Sequence, residues 1–246
     1  MIGIFDSGVG GLSVFREIVR ILPEEKYIYW SDNAHCPYGE KSRDYIIDRA
    51  RAVTSFLIEQ GADIIVVACN TATAAAISTL REEFPVPFIG MEPAVKPAAQ
   101  ATRSGVVGVL ATAGTLKATK YIDTRAKWAR DVKIVEHIGQ GSVELVEKGN
   151  VSGPEAESIV EKSVRPLIEA AADTIVLGCT HYPFLAETIM KAAGTPVTLI
   201  DPAPAVAKHL MEVMQENGLI RKDGFSMSLH SSGEPGTLEK TYNNLI

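Results

Sequence analysis

Short apolar runs alternate with longer amphipathic stretches from the start of the chain. Residues 2–5 form a brief apolar run, residues 6–11 a glycine-rich loop, and residues 12–22 carry apolar positions at helical spacing until Pro23 stops them. The same reading predicts a strand over 27–30, a polar loop over 31–39 and a helix over 42–60. An apolar segment then runs to Cys69, followed by a helix over 73–84 and a strand over 87–90. The second half repeats the order: residues 106–110 echo the first strand, 111–115 the glycine loop, and 197–200 the strand that ends at Gly90. Strands alternating with helices in this way predict an α/β fold with parallel sheets.

The repetition is explicit around two cysteines. Leu57-Ile58-Glu59-Gln60-Gly61-Ala62-Asp63-Ile64-Ile65-Val66-Val67-Ala68-Cys69 aligns, 110 residues on, with Leu167-Ile168-Glu169-Ala170-Ala171-Ala172-Asp173-Thr174-Ile175-Val176-Leu177-Gly178-Cys179, eight of thirteen positions being identical. Each copy passes from a helix end into a β-branched run typical of a strand buried on both faces, so each cysteine stands at a strand's C-terminal end. Ligands of open α/β sheets bind at that end. Two such halves facing each other about a pseudo-two-fold axis bring one thiol to each side of a central cleft, an arrangement suited to stereoinversion by removal and return of a proton. The crossing between halves falls near 91–97 and the return near 201–204, both bearing proline. The expected domains are 1–92 plus 205–246, with the C-terminal tail packed back on the first half, and 93–204. Residues 231–236 read as a loop.

Composition narrows the chemistry. With 246 residues, 46% hydrophobic and 22% charged, the chain buries a sizeable core, and a net charge of −6 argues against affinity for nucleic acid or anionic membrane. No apolar run approaches the length of a membrane span and no basic leader precedes the first strand, so a cytoplasmic protein with reduced thiols is expected. Three cysteines form no disulfide framework, and although His35-Cys36 and Cys179-Thr180-His181 could pair as zinc ligands, no Cys-x-x-Cys or His-rich spacing accompanies them. No metal is expected. The loop at 6–11 fails the dinucleotide fingerprint, because a G-x-G-x-x-G starting at Gly8 requires glycine where Ser13 stands, and no Walker motif is present. Its glycines are expected to let backbone approach a small ligand at a helix N-terminus, with Asp6 at the cleft mouth or capping that helix.

Four segments, Phe5-Asp6-Ser7-Gly8-Val9-Gly10-Gly11-Leu12-Ser13-Val14, Pro37-Tyr38-Gly39, Ala68-Cys69-Asn70-Thr71-Ala72 and Leu177-Gly178-Cys179-Thr180-His181-Tyr182-Pro183, resemble those of the glutamate racemases, cofactor-independent members of the aspartate/glutamate racemase superfamily. The resemblance runs from residue 2 to about 207. It implies two doubly wound, Rossmann/flavodoxin-like domains, a cytoplasmic homodimer, and interconversion of L- and D-glutamate for peptidoglycan without pyridoxal phosphate or any other cofactor. By the same resemblance Cys69 is the base for D-glutamate and Cys179 that for L-glutamate. Asp6 assists the first, His181 the second, and Glu147 stands beside the histidine. Ser7, Pro37, Tyr38, Gly39, Asn70, Thr71 and Thr180, with Asp6 and His181, match the family's substrate-binding positions, and Thr112 and Thr115 join them.

The chain departs from the family's pattern at Asp32-Asn33-Ala34-His35-Cys36, where many members have Asp-Thr-Ala-Arg, and at Gly139-Gln140 and Glu144, where many have Cys-Pro and a further proline. His35 is expected on the surface and Cys36 as a bystander. An aspartate or hydantoin racemase shares the fold, and a single-cysteine decarboxylase is disfavoured by the second thiol. A non-enzymatic two-domain binding module has no reason for paired thiols.

Overall fold

The structure, a computed structural model, describes residues 1–234 and 236–245. The first half runs β1 (Ile2–Asp6), α1 (Leu12–Ile21), β2 (Lys26–Ser31), α2 (Arg43–Glu59), β3 (Ile64–Val67), α3 (Asn70–Glu83) and β4 (Phe88–Gly90). The second runs α4 (Val95–Ala101), β5 (Val106–Ala111), α5 (Ala113–Leu116), α6 (Thr119–Trp128), β6 (Lys133–Ile138), α7 (Ser142–Glu147), α8 (Pro154–Glu169), β7 (Thr174–Gly178), α9 (Ala186–Ala193) and β8 (Thr198–Ile200). The chain closes with α10 (Ala203–Glu216), β9 (Ser226–Ser231) and α11 (Thr237–Leu245).

Two parallel sheets result, ordered β4-β3-β1-β2-β9 and β8-β7-β5-β6. Reading β5 for β1 and β7 for β3, the second sheet repeats the order of the first four strands, and β9 adds one more edge strand. The fold is therefore α/β with two parallel sheets and interleaved helices, as the alternating pattern predicts. β1, β3 and β7 are buried along their whole length, which is why they read as unbroken apolar runs. One apolar cluster passes from Ile4, Phe15 and Tyr29 through Leu145 and Val164 to Ile175, Tyr182 and Leu210, joining the two halves through their cores.

Four local differences from the sequence reading have physical causes. The helix expected from residue 73 starts at Asn70, because Cys69 caps it: its sulfur accepts the Ala72 N–H at 3.4 Å. The segment 111–115 is not a glycine loop but opens α5, with the Thr112 hydroxyl accepting the Thr115 N–H at 3.2 Å. The polar loop 31–39 holds two single 3₁₀ turns, Asn33–His35 and Tyr38–Glu40. β9, Ser-Met-Ser-Leu-His-Ser, lacks the apolar run of a two-faced strand and was not legible as one; it forms at the sheet edge, where β2 supplies its partners. The loop expected over 231–236 begins where β9 ends, and its Pro235 lies outside the described residues, as does Ile246.

The duplicated segments share one turn conformation. Gly61 adopts φ +93° before β3, and Ala171, its counterpart before β7, adopts φ +67°. The turn demands left-handed backbone in both copies, and only the first meets it with the residue that adopts it freely. Among the described residues no helix is long and apolar enough to cross a membrane.

Candidate active site

Because β1 lies between β2 and β3, helices leave the sheet on opposite sides at the β1/β3 boundary, and a crevice opens beyond those strand ends. Asp6 ends β1, and Cys69 follows β3. The corresponding positions of the second sheet are Ala111, which ends β5 and leads into Thr112 as Asp6 leads into Ser7, and Cys179 after β7. The two crevices face one another closely enough that the Thr180 hydroxyl donates to Asp6 Oδ2 at 3.2 Å and the Thr71 hydroxyl meets that of Thr112 at 3.0 Å.

On the first side, Cys69 is buried with its sulfur 3.7 Å from the Ser7 hydroxyl. Asp6 is fully buried; Oδ1 accepts the Ser7 N–H at 2.7 Å and Oδ2 the Gly11 N–H at 2.6 Å. Burial pushes the Asp6 carboxyl above its usual range, against the opposing pull of His181 and of a hydrogen bond with Cys69. Burial, reinforced by the Asp6 charge, also pushes the Cys69 thiol well up, so this cysteine rests protonated.

On the second side, His181 bridges two acidic groups. Its Nδ1 faces Cys179 Sγ at 3.6 Å and its Nε2 faces Glu147 Oε1 at 2.6 Å. Burial alone lowers a histidine, but here hydrogen bonds with Cys179, Cys36 and Glu147 overcome it and hold the imidazole well above its ordinary value. Glu147 Oε1 also accepts the Val9 N–H at 2.7 Å, and the Ser13 hydroxyl donates to the Thr180 carbonyl at 2.9 Å, so the 6–11 loop and the first turn of α1 grip α7 and the turn after β7 in the second half.

That grip explains the glycines differently from the sequence expectation. A Cβ on Gly8 would stand 1.9 Å from Glu147 Oε1, and one on Gly10 2.3 Å from His181 Nδ1. Their bareness makes room for side chains of the opposite half. Asp6 likewise is not the helix cap: the cap residue of α1 is Gly11, without a side-chain bond.

Ser7, Pro37, Tyr38, Gly39, Cys69, Asn70 and Thr71 line a small cleft from the first half; Thr112, Cys179, Thr180 and His181 close it from the second, with Val143, which the sequence did not single out. The other expected site residues stand one layer back: Asp6 behind Ser7 and Thr180, Glu147 behind His181, and Thr115 behind Thr71 and Thr112, at 3.3 and 3.0 Å from their hydroxyls. Tyr38 is positioned by a 2.5 Å hydrogen bond to Asp32, which Arg49 holds bidentately at 2.9 and 2.7 Å. Neither Asp32 nor Arg49 was identifiable, because their contact closes only through tertiary packing. Among the described residues no lysine or arginine lines the cavity, and the Asn70 amide nitrogen is buried without a partner.

Cys36 stands closer to the site than its place in the sequence indicates. Expected as a bystander, its sulfur lies in a cluster with Glu147 and His181, all three ligand atoms within 4.8 Å of one another, and burial pushes its thiol up to about 11. His35, expected on the surface, turns the other way, to the Tyr45 hydroxyl at 2.5 Å. An open vestibule bordered by Pro37, Gly39, Thr112 and Val143 leads into the cavity.

Known proteins share this architecture. Residues 2–210 match the Asp/Glu/Hydantoin racemase family. Glutamate racemase of Stutzerimonas stutzeri is 47% identical over 235 residues, 95% of this chain and 89% of that one. The Escherichia coli glutamate racemase solved with L-glutamate and the activator UDP-MurNAc-ala is 34% identical with a TM-score of 0.88, covering 98% of this chain and 91% of that one. The Francisella tularensis enzyme solved with D-glutamate is 31% identical with a TM-score of 0.83, covering 98% and 91%. By sequence over nearly its whole length and by fold, the chain belongs to the Asp/Glu/hydantoin racemase family, within its glutamate racemase group, and is an isomerase.

Proposed function

We propose that the protein interconverts L- and D-glutamate with two cysteine bases and no cofactor. The observation that carries this reading is the pair Cys69 and Cys179: equivalent strand ends of equivalent sheets, both lining one small cavity, each with a different polar assistant. The ligands of the Escherichia coli and Francisella relatives, L-glutamate and D-glutamate, support the substrate.

The chemistry follows from the residues. Substrate carboxylates meet the hydroxyls of Ser7, Thr71 and Thr180, the unpartnered Asn70 amide and the N-terminus of α3, donors that can strengthen as negative charge develops on the carbanion. Cys179, as thiolate beside protonated His181, takes the α-proton of L-glutamate. Cys69, resting as thiol, returns its own proton to the opposite face and becomes the thiolate, with the Asp6 carboxyl at its side. The reverse reaction exchanges the roles. Glu147 keeps His181 charged and aimed, and Tyr38, set by Asp32 and Arg49, walls the pocket.

Domains at 1–92 plus 205–246 and at 93–204 would open and close this cleft, in a homodimer of the cytoplasm that supplies D-glutamate to peptidoglycan. The test is isotopic. With near-attack contacts of about 3–3.5 Å on each face, the sulfurs stand roughly 7 Å apart, too far for one base to serve both faces. Early in a reaction from L-glutamate in deuterium oxide, mass spectrometry should find deuterium at the α-carbon of the D-product and protium in the remaining L-substrate. Protium retained in the early product would mean that a single base carries the proton across, and would end the two-cysteine reading.

A further inference from the structure

Cys36 comes from the loop after β2, Glu147 from the last turn of α7 and His181 from the turn after β7, yet their sulfur, carboxylate oxygen and ring nitrogen lie within 4.8 Å of one another. His181 is buried and the other two are half-buried, so the cluster borders the cleft rather than open surface. One thiolate, one imidazole and one carboxylate form the donor set of a four-coordinate zinc site that leaves its fourth position open. Mg²⁺ and Ca²⁺, which want several oxygens, are not served by it. We propose that Cys36, Glu147 and His181 bind a borderline-soft divalent transition ion of the Zn²⁺ class, and that its binding switches the enzyme off.

The geometry needs only side-chain adjustment. Tetrahedral ligands at about 2.0–2.3 Å from a metal stand about 3.3–3.8 Å from one another. The His181 Nε2 to Glu147 Oε1 separation of 2.6 Å must therefore open by about 1 Å while the widest separation, at most 4.8 Å, closes by a similar amount. The metal ion replaces the proton shared by nitrogen and carboxylate oxygen. A second proton leaves Cys36 as its sulfur becomes a thiolate ligand, so binding tightens as pH rises. The surroundings support the ligands: the Val9 N–H holds Glu147 at 2.7 Å, and bare Gly8, where a Cβ would come within 1.9 Å of Glu147 Oε1 and 3.2 Å of Cys36 Sγ, leaves the space.

Inhibition follows from what the metal takes: His181 bound to it can no longer be the cation beside Cys179. That half of the proposal rests on the two-cysteine reading, whereas binding does not, and the experiment separates them. Chelator-treated protein is titrated with Co²⁺ while thiolate-to-cobalt charge-transfer absorption is followed. Wild type should show the band, saturating at one ion per chain and bleached by Zn²⁺. Cys36→Ala should lose the band and bind the ion at least about 100-fold more weakly, and Glu147→Gln should keep the band with weaker affinity. Cys179→Ala should keep it as well, which also shows that loss of a cysteine in this site does not by itself unfold it. No band in wild type, or a band that survives in Cys36→Ala and disappears in Cys179→Ala, overturns the site. Separately, Zn²⁺ should inhibit glutamate racemisation by wild type reversibly to chelator. A saturated band with undiminished racemisation overturns the switch and leaves the site standing.

Discussion

Gly10→Ala tests whether the glycine loop sets the position of His181. The added Cβ would lie 2.3 Å from Nδ1, 2.6 Å from Cε1 and 2.7 Å from the Thr180 hydroxyl, where ordinary contact begins at 3.4 Å. The ring cannot swing freely aside, being 1% exposed and backed by Glu147 at 2.6 Å. It must retreat from Cys179, or the loop must lift, by about 1 Å. A displacement of that size in a catalytic group costs about 100-fold in rate, or about 2.7 kcal/mol of transition-state stabilisation. The accompanying overpacking costs about 1–3 kcal/mol of stability, which a urea titration would register as a shifted midpoint without loss of cooperativity. The assay is separation of enantiomers from initial rates in both directions. Because enantiomers have equal free energy, kcat/KM must fall by the same factor from L- and from D-glutamate. A variant within threefold of wild type would refute the claim that Gly10 is bare to admit His181.

Four other outcomes follow. Ala171→Gly should stabilise the protein by about 0.5–1 kcal/mol, since it relieves the left-handed strain that Gly61 avoids in the first copy, and a lowered urea midpoint would contradict this. Asp32 is buried, which alone would raise its carboxyl, but hydrogen bonds from Arg49 and Tyr38 hold it below the ordinary 3.8. Its folded form is the better acid, so its contribution is present above pH 3.8 and is lost as pH falls through the folded value. Asp32→Asn should therefore cost about 2–3 kcal/mol at pH 7, and the difference from wild type, read by urea titration, should shrink below pH 3.8. Racemase activity should survive dialysis against a chelator, and death followed by revival with zinc would overturn the two-thiol assignment. Glutamate should be preferred to aspartate by a wide margin, and comparable turnover of L-aspartate in the same assay would place the chain's specificity with the sister racemases.

The alternation of strand and helix and the strand-end cysteines were legible because each depends on residues close in sequence. Periodicity reports which faces are buried, and the duplication of 57–69 at 167–179 identifies equivalent strands without any knowledge of how they pack. The motifs around Asp6, Tyr38, Cys69 and Cys179 pointed to one cleft for the same reason, each being a short loop at a strand end. What tertiary structure alone decided was who meets whom across that cleft. Gly8 and Gly10 read as room for a ligand, and only the docking of the second half reveals Glu147 and His181 filling it. Cys36 looked incidental because its partners are more than a hundred residues away, and nothing local marks Arg49, which meets Asp32 at 2.7 Å only in the folded chain. β9 carries no two-faced apolar run, so its place was decided by the unpaired edge of β2. Local pattern encodes burial, which each segment expresses for itself, whereas contacts between segments exist only once the whole chain has closed around them.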